Sequence, residues 1–207
     1  MIAIVDYGVG NLFSLSSSLK ALGIESELTA DPTRLQLADQ VILPGVGAFG
    51  DAMKKLQATG LDQTVKQLAT SGKPLLGICL GMQLLFDSSE EFGQQAGLGL
   101  IPGRVVSLKE AFEQKGIDLK VPHIGWNPIT IKQASPLLKN IQEQDQFYYV
   151  HSFYATDCES HLVATSEYGV SVPGIVAKDN VYGTQFHPEK SGKVGLALLQ
   201  AFAEVQA

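Results

Sequence analysis

The segment Gly72–Phe86 reads GKPLLGICLGMQLLF, and its periodicity changes in the middle. Leu75–Ile78 is a short apolar run of the kind that forms a strand buried on both faces, whereas Leu80–Phe86 opens a helical pattern. A single cysteine, Cys79, stands at the junction between Gly77 and Gly81. The form G-x-C-x-G is the thiol version of the nucleophile elbow. A chain that turns this sharply from strand to helix strains its central residue, and side chains two positions to either side would collide with the turn. The turn lifts the sulfur from the carboxyl edge of a sheet and sets it at a helix N-terminus, whose positive end favours a thiolate. The Leu80 N–H is left free to face an oxyanion. A lone cysteine in an apolar run also fits a small buried packing residue, so a partner base has to decide between the two readings.

The elbow sits in a regular context. Ile2–Val5 reads as a buried strand, Asn11–Leu22 as a helix with Leu12, Leu15, Leu19 and Leu22 on one stripe, and Ile24–Thr29 as a second strand. A third strand, Val41–Leu43, is broken by Pro44 and Gly45, and Ala48–Ala58 and Leu61–Thr70 read as helices. This alternation predicts an α/β fold with a parallel sheet covered on both faces. After about Gly97 the pattern changes to closely spaced strand candidates: GRVVSL, ITIK, QFYYVHSFYAT, HLVATSEYG, GIVAKD and VYGTQF. These read as antiparallel, and Ser191–Val205 as a closing helix. DYGVGN invites a dinucleotide-binding reading, but the third glycine of that motif would fall on Phe13, and there is no phosphate-binding Gly-Lys-Ser/Thr. A tight strand-to-helix turn explains it better.

Composition removes other classes. A net charge of -6 with no basic run argues against nucleic acid and anionic membrane surfaces. Hydrophobic content of 45% against 17% charge indicates a globular chain rather than a disordered one. Its 207 residues suit one domain over 1–207. Two cysteines, Cys79 and Cys158, make no disulfide framework, and MIAIVDYG has no basic leader region, so a cytoplasmic setting is expected. The histidines and cysteines lack close metal-ligand spacing, so neither metal nor other cofactor is expected.

Among four histidines, His187 stands in YGTQFHPEKSG at the end of a strand pattern. Pro188 keeps it extended, and residues i and i+2 of an extended segment share a face, so Glu189 is placed to orient the imidazole. Cysteine, histidine and glutamate in nucleophile, base and orienting roles form a triad. His-Pro-Glu alone would also suit an exposed turn; with the elbow it points to catalysis.

GICLGMQLLF together with TQFHPEKS resembles the class I (triad) glutamine amidotransferases, over essentially the whole chain. DYGVGNL, LPGVGAFG, HIGWN and YYVHSFY are similar to those members that feed ammonia to a separate cyclase subunit in histidine biosynthesis. Ile124 of HIGWN stands where methionine is expected in many members, a volume-conserving change. The resemblance implies a flavodoxin-like, three-layer, doubly wound and mostly parallel sheet, with an antiparallel region in the C-terminal half. It implies L-glutamine as substrate and a (β/α)8-barrel cyclase as heterodimer partner. It assigns Cys79 as nucleophile, His187 as base and Glu189 as orienter. The Val46 and Leu80 N–H groups form the oxyanion hole, and Gly47, Gln83 and Glu91 hold glutamine. Asn11, His123, Trp126 and Lys190 fall near the partner side, and His151 is an interface candidate. Taken on type alone, Gln83 and Glu91 read as exposed polar residues, and Trp126 fits a core anchor as well as the partner side. Three alternatives stand beside this reading: a glutaminase of a related sugar-amidine pathway, another cysteine hydrolase on the same fold, and a catalytically idle regulatory subunit.

Overall fold

The computed structural model describes residues 1–206. Strands β1 (Ile2–Val5), β2 (Ser26–Thr29), β3 (Gln40–Leu43) and β4 (Leu75–Ile78) alternate with helices α1 (Leu12–Ala21), α2 (Pro32–Leu37), α3 (Phe49–Ala58) and α4 (Leu61–Thr70). The elbow leads into a short helix, α5 (Leu80–Leu84). Then follow β5 (Ser88–Ser89), β6 (Gln95–Ala96), β7 (Arg104–Ser107), α6 (Leu108–Lys115), β8 (His123–Pro128), β9 (Thr130–Ile131), β10 (Gln146–His151) and β11 (Phe153–Thr156). The chain closes with β12 (Leu162–Glu167), β13 (Ser171–Lys178), β14 (Val181–Thr184) and α7 (Gly192–Ala203).

One large sheet has the order β2-β1-β3-β4-β14-β13-β12-β9. Its first five strands are mutually parallel, and β13, β12 and β9 continue it antiparallel. The parallel part has the flavodoxin-like order, in which the chain reverses direction across the sheet between β1 and β3. In such sheets ligands bind beyond the carboxyl ends of the strands. The loops after β1, β3, β4 and β14 carry Asn11, Val46, Cys79 and His187 to that one edge.

The apolar strands are continuous in sequence because both faces are covered. Ala3, Val5, Val41, Leu43 and Leu75 enter the core on one face. Ile2, Ile4, Ile42, Leu76 and Ile78 enter the core on the other. Alternate side chains of one strand therefore serve opposite cores, and each full burial is worth about 1.5–3 kcal/mol.

Several details differ from the sequence expectation. Helix α2 was not expected; its signal is Asp31, which accepts a hydrogen bond from the Thr33 N–H at 2.8 Å, followed by Pro32 at the first helical position. Helix α6 carries the Ser-x-x-Glu cue, with Ser107 Oγ accepting from the Glu110 N–H at 3.3 Å. QFYYVHSFYAT is two strands divided at Ser152: β10 pairs with β8 in a small two-stranded sheet, and β11 pairs with β7 in another sheet. The C-terminal strands are not all antiparallel either, since β14 lies parallel beside β4.

A Cβ placed on Gly81 would overlap the Leu43 carbonyl oxygen at the end of β3. Gly81→Ala is expected to destabilise the fold by about 1–3 kcal/mol or more, read as a fall in the urea midpoint at unchanged slope. An unchanged midpoint would show that this contact is not tight.

Candidate active site

Cys79 follows the last residue of β4 directly, with φ 54° and ψ −110°. That left-handed value is unfavourable for a side chain bearing a Cβ and is held only when the surroundings fix it. Gly77 and Gly81 allow it. A Cβ on Gly77 would come within 2.7 Å of the Gly81 carbonyl, and one on Gly45 within 2.7 Å of the Gly81 N and 2.9 Å of the Tyr7 Oη. The elbow and the Pro44–Gly47 loop thus meet backbone against backbone. Tyr7 secures the loop by donating its hydroxyl proton to the Pro44 carbonyl at 2.7 Å.

Cys79 is 7% exposed. Gln185 Nε2 approaches its sulfur at 3.8 Å, and the Val150 carbonyl lies at 3.9 Å. His187 comes from the other side of the sheet edge, after β14, which is paired with β4. Its N–H donates to the Tyr148 carbonyl at 3.0 Å, and its own carbonyl accepts from Ser191 Oγ at 2.7 Å. The imidazole Nδ1 lies 2.8 Å from Glu189 Oε1. The route to this pair differs from the expected one: Glu189 lies on a 3-10 turn, Pro188–Lys190, that curls back toward the ring instead of sharing the face of an extended segment. Burial alone would depress the His187 pKa, but hydrogen bonds to Cys79 and Glu189, and the charges of both, outweigh it and raise the value to about 9.

A cleft of about 430 Å³ opens over these groups, within the range of small-molecule sites. Val46, Gly47, Cys79, Leu80, Gln83 and Glu91 border it, as do His151, His187 and Lys190. Neither the Val46 nor the Leu80 N–H has an acceptor among the described residues. Gln83 is not the surface residue its type suggests. It is 5% exposed and donates to the Phe153 carbonyl at 2.9 Å and to Gln185 Oε1 at 3.1 Å. Those two bonds engage its amide protons and leave its carbonyl oxygen as an acceptor. Glu91 is also buried, and its Oε2 accepts from the Phe49 N–H at 2.7 Å, capping α3. Burial raises its pKa, opposed by the Phe49 N–H and reinforced by Asp51.

The remaining expected residues are spread around this centre. Asn11 lies outside the cleft and borders a small void behind Glu189. Trp126 is 52% exposed on β8, edge-on to Tyr148, and so is no core anchor. His123 lies beneath the surface rather than on a partner-facing one: it is fully buried, stacked on Tyr168 and Tyr149, with Nδ1 3.0 Å from His151 Nε2. His151 walls the cleft, and burial, together with neighbouring His123, depresses its pKa to about 3. It is therefore neutral at physiological pH. Sequence reading assigned no role to Tyr7 or Gln185, although they stand in DYGVGNL and TQFHPEKS; only the fold shows that Tyr7 reaches the loop after β3 and Gln185 the thiol.

Among the described residues no cluster of three or more histidine, cysteine or acidic side chains is placed to hold a metal ion, and no helix is long and apolar enough to cross a membrane.

A nucleophile elbow on a flavodoxin-like sheet defines a class of enzyme, and the class is recognisable at family level. The model of the family "Glutamine amidotransferase class-I" matches residues 3–204, so the chain belongs to that family. It is 50% identical over 208 residues to the imidazole glycerol phosphate synthase subunit HisH of Bacillus subtilis, covering 100% of this chain and 97% of the relative. The subunit of the same name from a Geobacillus species is 52% identical over 206 residues, covering 99% and 97%. A solved glutamine amidotransferase superposes with a TM-score of 0.75 at 18% identity, over 99% of this chain and 100% of that one; this likeness speaks for the fold alone.

The high His187 pKa is directly testable. The imidazole, followed by NMR, is expected to titrate near pH 9, and Glu189→Gln to lower that value, since the negative charge beside the protonated ring is lost. Because the folded value lies above the ordinary 6.5, this group's contribution to stability is present below about pH 6.5 and lost as pH rises through about 9. A wild-type titration at or below the ordinary value would contradict the pairing.

Proposed function

We propose that this chain is the glutaminase subunit of an imidazole glycerol phosphate synthase, acting on L-glutamine through Cys79, His187 and Glu189. The observation that carries the reading is the strained Cys79 elbow facing a buried His187–Glu189 pair, in a chain about half identical to subunits of that name along its whole length. We read residues 1–207 as one cytoplasmic domain, with no nucleic-acid or membrane surface. Its partner is a separate (β/α)8-barrel cyclase.

The Cys79 thiolate attacks the γ-carboxamide carbon, His187 having taken the thiol proton. The tetrahedral oxyanion is received by the Val46 and Leu80 N–H groups. His187 protonates the departing nitrogen, the C–N bond breaks, and ammonia leaves a γ-glutamyl thioester. Water, deprotonated by His187, attacks the thioester; the C–S bond breaks, His187 returns the proton to the departing sulfur, glutamate is released and the Cys79 thiol is restored. Glu189 holds the ring and stabilises its cationic form without taking the proton. Gln83 and Glu91 suit the α-carbon end of glutamine, with the Glu91 carboxylate facing the ammonium group, and Gly47 lets the loop approach the substrate closely. Ammonia passes to the cyclase, whose reaction yields imidazole glycerol phosphate and aminoimidazole carboxamide ribotide. Asn11, Trp126 and Lys190 lie toward that partner, and His151 and His123 support the same side from beneath.

Cys79→Ala is expected to abolish glutamate release in the complex while leaving the ammonia-dependent cyclase reaction and subunit affinity unchanged. Glutamine turnover in that protein would refute the nucleophile assignment. Glu189→Gln should reduce turnover less than His187→Ala, since it removes orientation and charge but not the proton carrier.

The loop at Val46 also provides control. Gly47 has φ 94°, a conformation glycine adopts without penalty, so reorientation of the adjoining peptide costs little. Loss of one oxyanion donor slows such reactions by about 10²–10³. Docking of the liganded cyclase, by favouring the loop with its N–H turned inward, is expected to accelerate glutamine hydrolysis by that order. Glutaminase rates of the isolated chain, the complex and the liganded complex decide it; an isolated chain as fast as the liganded complex excludes partner gating.

A further inference from the structure

Glu189 uses one of its two carboxylate oxygens. Oε1 meets His187 Nδ1, whereas Oε2 is buried without a hydrogen-bond partner among the described residues. The side chain is 3% exposed. A buried polar atom on a charged group carries its full desolvation cost when unpaired, and a carboxylate held at one oxygen is free to pivot about that contact. The His187 ring depends on this carboxylate for its orientation, so the missing partner bears on catalysis.

The space beside Glu189 is a void of about 10 Å³, bordered by Asn11, Leu15, Pro44, Val46, His187 and Glu189 among others. This is the lower limit for one water molecule, about 10–15 Å³, so the space is small enough for a slight side-chain movement to close it. Of the side chains bordering it, only His187 and Asn11 carry N–H donors, and His187 is engaged by Cys79 and Glu189. Asn11 is the N-cap residue of α1, yet its side chain makes no capping hydrogen bond. Asparagine is favoured at that position because it caps, and here that role is unfilled.

We infer that Asn11 is a positioning residue of the triad: its amide N–H donates to Glu189 Oε2 and fixes the carboxylate plane, so that Oε1 stays on the His187 imidazole. This links the loop after β1 to the base that follows β14, and it rests on the Cys79–His187–Glu189 reading. No bond to substrate is involved. The other titratable groups around the pair are Cys79 and His151, both of which face His187, and Lys190 on the same turn, which is exposed.

The test separates positioning from capping. Asparagine, aspartate and serine cap helices about equally well, so a capping role tolerates Asn11→Asp and Asn11→Ser alike. A donor role does not, because ionised aspartate has no proton to give and sets a second negative charge beside Glu189, which raises carboxylate pKa values. Glutaminase kcat, KM and pH profile are measured for the wild type, Asn11→Asp, Asn11→Ser and Asn11→Ala, each saturated with the cyclase subunit, so that altered docking does not enter. Asn11→Asp is expected to lose about tenfold or more in kcat, the scale of one hydrogen bond to a charged group, with KM little changed and the acid limb of the profile moved to higher pH. Asn11→Ser, which keeps a donor, should retain more activity than Asn11→Ala. Wild-type kcat and an unmoved acid limb in Asn11→Asp, or equal activity in the serine and alanine proteins, would overturn the inference. Failure of the wild-type complex to release glutamate would instead refute the proposed function.

Discussion

The structure depends on a contact between backbones. Beyond the carboxyl ends of β3 and β4, the Gly81 backbone lies against the Leu43 carbonyl, and Gly45 lies against the Gly81 N–H. No side chain fits at either place. Because these segments touch through main-chain atoms, the positions of the Cys79 sulfur and of the Leu80 N–H are set by strand spacing, not by adaptable side chains, whereas the Val46 peptide lies next to the unconstrained Gly47. The unfavourable φ of Cys79 is the cost of aiming a side chain away from a sheet edge, and the buried cores on both faces are large enough to bear it.

The cleft keeps two imidazoles in different protonation states. His187, beside a carboxylate and a thiol, holds a proton more tightly than free histidine, with a value of about 9. His151, buried beside another histidine, holds one far less tightly, at about 3. Geometry explains the difference. Ring nitrogens facing anions favour the cation, and ring nitrogens facing a carbonyl and a second imidazole in a dry interior do not. One histidine of the cleft is thus protonated over a wide pH range, while the other is a neutral wall.

The elbow, the parallel sheet and the His187–Glu189 pair were legible in the sequence because each is local or periodic. GICLG has few structural solutions, apolar strands of four residues read plainly, and His187 and Glu189 are two residues apart. Helices α2 and α6 carried ordinary capping signals at Asp31 and Ser107, but their weak apolar stripes hid them. The division of QFYYVHSFYAT at Ser152 was not legible, since both halves are good strands and only their partners, β8 and β7, differ. Burial of Gln83 and Glu91 was likewise hidden, because residue type favours the surface for both and only long-range contacts reverse it. Tyr7 and Gln185 lie far in sequence from the thiol they surround.

The position of β14 has a consequence for synthesis. The parallel core of the sheet is begun by the first strands to leave the ribosome, yet β4, which leads into Cys79, must wait for one of the last strands to cover its open edge. Pairing across so long an interval is slow, and an uncovered strand edge invites association with other chains. Until β14 arrives, His187 has no place beside Cys79, so a nascent chain carries the thiol without the imidazole. The cleft that Cys79 and His187 both border is therefore assembled only when the chain is nearly complete.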